Sequence, residues 1–64
     1  MEYDIKQGGA VVGSFSVVEV SDPAIASGVA TTLAVAEGTA VTVHTTGSSF
    51  LVIYGDQVVT VEEA

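Results

Sequence analysis

Apolar and polar residues alternate, or gather into short apolar blocks, along most of this chain, and no segment sustains a 3.6-residue period. Valine and threonine dominate the runs, and a period of two built from β-branched residues predicts strands. Tyr3 to Lys6 forms a short first strand. Gln7-Gly8-Gly9 then signals a reversal before Ala10-Val11-Val12. Gly13 interrupts the next run and Ser14 to Val20 resumes it, so one long strand is expected with a bulge or bend at the glycine. Ser21-Asp22-Pro23 closes that strand, because Pro23 cannot donate to a ladder. Ala24 to Gly28 reads as a surface loop, or at most one helical turn opening at Pro23 and ending at Gly28.

For Val29 to Thr46 the register argues for a hairpin. A three-residue loop, Ala36-Glu37-Gly38, sets Thr31, Leu33 and Val35 opposite Val43, Val41 and Thr39 on one face. Ala30, Thr32, Ala34, Ala40, Thr42 and His44 fall on the other. One face is then apolar and the other small and polar, as in a half-buried antiparallel pair.

Thr45 to Ser49 is a polar turn, after which Phe50-Leu51-Val52-Ile53-Tyr54 runs without alternation into Gly55-Asp56. A type II′ turn there pairs Ile53 with Val58, Val52 with Val59 and Phe50 with Val61. Both faces of this hairpin come out apolar: Phe50, Val52, Val59 and Val61 on one, Leu51, Ile53 and Val58 on the other. Such a hairpin needs cover on both sides. The expected cover is a second subunit, with Phe50, Val52, Tyr54, Val59 and Val61 as the interface residues.

The expected fold is therefore all-β: about six short antiparallel strands in a small barrel or two-layer sandwich, one domain over residues 1–64, held together by homo-oligomerisation, with a trimer as one arrangement. Length supports the oligomer, because a domain of 64 residues is marginal on its own core and this one has no cysteine for a disulfide or a thiolate metal site.

Charge narrows the partners. The formal net charge is −7, yet charged residues make up only 14% of the chain, so the acidity arises from missing bases. Lys6 is the only basic side chain besides His44, which excludes nucleic acid as a partner, since neutralising phosphates takes several lysines or arginines. No stretch approaches the ~20 apolar residues of a membrane span, and Met1-Glu2-Tyr3-Asp4 is unlike a basic signal-peptide start. A soluble protein without membrane contact is expected. The carboxylates are spread along the chain, which suits a solvated surface or docking onto a basic partner.

Candidate chemistry is sparse. A single imidazole, His44, builds neither a Ser-His-Asp arrangement nor a histidine metal site. No calcium-loop spacing, phosphate loop or G-x-S-x-G elbow is present. Paired acids for glycoside hydrolysis need a cleft that so small a domain has little room for. Glu19, within a valine run, is an outward-facing strand residue or an interface contact. Phe15 and Phe50 belong to the core, and Tyr54 suits a subunit interface. No catalytic residue, cofactor or metal is expected, and no enzymatic activity.

As a whole chain, the small size, the acidity, the scarcity of lysine and arginine and the Val/Thr/Ala/Gly texture resemble the small head-decoration (cement) proteins of tailed bacteriophages. The likeness spans the full length but rests on no motif, so no binding residue transfers with it. It implies a β-rich protein that docks onto an assembled capsid shell and stiffens it, located in the virion after assembly in the host cytoplasm. Two other roles fit the residues: an acidic inhibitor or adaptor filling a partner's basic groove, in the cytoplasm, and a small sugar- or peptide-binding module.

Overall fold

The computed structural model describes residues 1–64 as strands β1 (Glu2–Gln7) and β2 (Ala10–Ser16), helix α1 (Asp22–Thr32), and strands β3 (Val41–Thr46), β4 (Ser49–Tyr54) and β5 (Gln57–Glu63). The strands form one antiparallel sheet in the order β2-β1-β5-β4-β3. The molecule is thus mostly β, with five strands where about six were expected, in a single sheet backed by a helix.

Local chemistry explains the strands. β4 and β5 pair as the sequence reading expects: Phe50 faces Val61, Val52 faces Val59 and Ile53 faces Val58. Gly55 takes a φ of 57° while Asp56 stays out of the left-handed region, the sign pattern of a type II′ turn. In the β1–β2 pair, Ile5 faces Gly13 but Lys6 faces Val11, so Val12 is the extra residue of a bulge beside Gly13. β2 then stops at Ser16, short of the expected Val20, although Val17 still exchanges backbone hydrogen bonds with Met1.

The helix is the main correction. Neither the short helical turn over Ala24 to Gly28 nor the hairpin from Val29 to Thr46 forms; α1 runs through both as far as Thr32. Ser21 caps it, its Oγ accepting from the Ala24 N–H at 3.2 Å, and Asp22 sits in the first turn, where a carboxylate favours the helix dipole. At the other end the Ala34 N–H donates to Thr31 O and the Val35 N–H to Ala30 O. Those two bonds close a Schellman motif, with Ala34 at a φ of 53° in the place usually held by glycine. The residues from Leu33 to Ala40, read as strand and loop, are the connection into β3.

Gly28, read as a helix stop, lies inside α1 because something large occupies the space a side chain would need. A Cβ there would meet Phe15 ring carbons at 2.3, 2.4 and 2.8 Å. Likewise a Cβ on Gly13 would lie 2.7 Å from the Thr32 methyl. These two glycines let the helix backbone approach β2. The apolar pattern of α1 is spare: Ile25 and Val29, one turn apart, are its only fully buried side chains.

Beneath them lie Tyr3, Ile5, Val52, Val59 and Val61, from β1, β4 and β5. Each buried aliphatic side chain contributes about 1.5–3 kcal/mol. Tyr3 stacks on Phe15 (ring centroids 5.9 Å apart) and meets Phe50 edge-on at 6.1 Å, closing one end of the core with an aromatic row.

Candidate interaction face

Side chains alternate across a sheet, so the residues that meet the helix define those that do not. Tyr3 and Ile5 of β1, Val59 and Val61 of β5, and Val52 of β4 face α1. Their neighbours Glu2, Asp4, Lys6, Leu51, Ile53, Val58, Thr60 and Glu62 therefore point to the opposite side, where neither helix nor second sheet packs. On β3 the same parity sends Thr42 and His44 to this open face.

The apolar part of the open face is continuous. Ile53 stands directly opposite Val58, and Leu51 is the next open-face residue along β4. Val58 is 50% exposed, and beyond Lys6 the row Leu51, Thr60, Lys6 ends at Val11, 57% exposed. Beside this strip sits an acidic corner. Asp4 faces Glu62 across β1 and β5, and Glu2 lies two residues from Asp4 on the same side, its carboxylate accepting from the Ser16 hydroxyl. Lys6 reaches Glu62 at 3.4 Å, which leaves Glu2 and Asp4 without a basic partner. The face thus joins an apolar patch to a net negative border.

The expected interface residues lie elsewhere. Val52, Val59 and Val61 are fully buried in the chain's own core, and Phe50 and Tyr54 pack at its margin. With α1 covering that side, no second chain can reach it without displacing the helix. On the same hairpin, the residues open to another molecule are Leu51, Ile53 and Val58. The sequence pattern contained them as the hairpin's second apolar face.

Chemistry beyond contact has little to work with. His44 is exposed on edge strand β3 and its imidazole makes no hydrogen bond within the chain, and no three potential ligands gather to hold a metal. Glu19 is exposed past the end of β2. It borders an open groove of about 500 Å³ between that segment and α1, lined also by Val17, Ser27, Thr31 and Thr32. The groove offers hydroxyls and one carboxylate, but no hydrogen bond joins Glu19 to any of those hydroxyls as a nucleophile–base pair would require. No helix is long and apolar enough to cross a membrane. No family model, curated protein or solved structure matches this chain.

Proposed function

We propose that this protein is a structural accessory that works by contact, docking its open sheet face onto a larger protein assembly in the manner of a capsid decoration protein. The observation that carries this reading is the strip of half-exposed Val58 and partly exposed Leu51 and Ile53 on a sheet whose other side is filled by the helix. A partner suited to it presents an apolar surface bordered by lysine or arginine, matching Glu2 and Asp4. Apolar burial supplies the affinity, and the acidic corner sets orientation.

Co-sedimentation with a shell assembled from the structural proteins of the same genome tests the proposal. The wild-type chain is expected in the pellet with the shell, and Val58→Lys in the supernatant with its circular dichroism unchanged, since Val58 is half exposed and outside the core. Val58→Lys pelleting as well as wild type, or a wild-type chain with no affinity for the shell, would refute it.

A further inference from the structure

We infer that β3 is a homodimer interface, pairing antiparallel with β3 of a second copy so that two five-stranded sheets become one continuous sheet. The inference goes beyond the docking face and does not depend on it. β3 is an edge strand, and every backbone hydrogen bond it makes belongs to its ladder with β4. Which of its groups are free follows from the turn. Thr46 and Ser49 flank a two-residue loop and so form a hydrogen-bonded pair, and alternation then turns the backbone groups of Thr42, His44 and Thr46 toward β4. Those of Val41, Val43 and Thr45 point outward.

Free edges are ordinarily blunted by lysine, proline, a bulge or a covering segment. β2, the other edge, carries the Val12 bulge and has α1 close against it at Gly13. α1 lies against β3 as well, but no helix group bonds the outward backbone of that strand, and Val41-Thr42-Val43-His44-Thr45-Thr46 pairs regularly over its whole length without bulge, proline or a charged carboxylate or ammonium.

Charge selects a second copy as the occupant. A chain of net charge −7 repels itself, yet no carboxylate lies on β3 or on its neighbour β4, whereas β1 and β5 carry Glu2, Asp4, Glu62 and Glu63. Two copies meeting edge to edge at β3 bring their uncharged ends together and hold their acidic strands apart. The twofold register centred on Val43 sets Val43 against its twin and Val41 against Thr45 of the second copy. That register pairs the outward backbone groups and brings the partly buried Val41 and Val43, already seated against each chain's own core, to the seam. It also sets the two open apolar strips side by side on one face. A strand edge buries less than a standard protein interface, so the dimer is concentration-dependent.

Sedimentation equilibrium up to about 1 mM protein, together with amide hydrogen exchange, tests this. The expected result is a mass rising from 6.4 kDa toward twice that value, with protection of the Val43 and Thr45 amides rising in parallel. Thr45→Pro removes an outward donor from each copy without touching the β4 ladder, and Thr45→Lys places a charge at the seam. Each is expected to raise the dimer dissociation constant at least about tenfold with the fold intact. Val11→Lys, on the other edge, leaves it unchanged. A monomer at all concentrations would overturn the inference. So would a dimer lost in Val58→Lys but kept in both Thr45 variants, which would mean pairing through the open face.

Discussion

Replacing Gly28 by alanine sets helix propensity against packing. Propensity favours the change: a helix-interior alanine is worth about 1 kcal/mol over glycine, chiefly through the entropy of the unfolded chain. Packing opposes it, because the new methyl would sit 2.3 Å from Phe15 Cδ2 and 2.4 Å from Cε2, where ordinary contact needs about 3.5–4.0 Å. Relief takes a displacement of more than about 1 Å. The ring cannot retreat freely, since it is stacked on Tyr3. Either α1 lifts off the sheet over Ile25 and Val29, or Phe15 swings outward and gives up its stack and part of its burial. Overpacking of this kind costs about 1–3 kcal/mol and an aromatic pair about 0.5–1.5 kcal/mol. The net expectation is destabilisation by about 1–2 kcal/mol, a fall in Tm of roughly 5–15 °C for a domain of this size. Thermal and urea unfolding followed by circular dichroism would measure it. In a Phe15→Ala background, which removes all three ring carbons that the new methyl would strike, the same Gly28→Ala change should turn stabilising by up to about 1 kcal/mol. Gly28→Ala stabilising the wild-type chain would refute the reasoning, and with it the seating of Phe15 against the helix.

Ala34→Gly should stabilise the fold by about 0.5–1 kcal/mol, seen as a higher urea midpoint, because it relieves an alanine at a φ of 53° in the Schellman motif. Ile25→Ala, at a fully buried core position, should cost about 2–5 kcal/mol, enough to leave most of so small a domain unfolded at 37 °C by circular dichroism. Raising sodium chloride from about 0.01 to 0.5 M should raise Tm, since screening the self-repulsion of a −7 chain outweighs weakening the one exposed pair, Lys6 with Glu62.

The strands were legible where turn chemistry and alternation agreed. Gly55-Asp56 between two valine-rich runs sets the β4–β5 register, and Gly13 marks the bulge. The helix was hidden because its amphipathic stripe has only Ile25 and Val29 at full depth, with alanine, serine and threonine around them. Thr31, Leu33 and Val35 continue into an alternation that mimics a strand. The helix signals were present, Ser21 as cap and Pro23 in the first turn, but Gly28 argued for a stop. Its reason for being glycine is Phe15, thirteen residues earlier in the chain and adjacent only in the fold. A tertiary contact thus overrode a local propensity.

That one concealed element also decided which face of the β4–β5 hairpin looked like an interface. Without a helix, both faces lacked cover, and the richer set, Phe50, Val52, Val59 and Val61, was the natural choice for a second subunit. Once α1 supplies the cover from within the chain, those residues become the core, and Leu51, Ile53 and Val58 are what the chain leaves unmatched. The apolar surplus is smaller than the sequence suggested, but it is better placed. It lies on one face, borders the acidic β1–β5 end on one side, and on the other runs to β3, an edge without carboxylate, ammonium or bulge. A chain that needed only to stay folded and soluble would gain from a lysine at exposed Thr45 and from a polar residue at half-exposed Val58, and neither position belongs to the buried core. Their combination on one side of a small sheet is what the proposed docking role rests on.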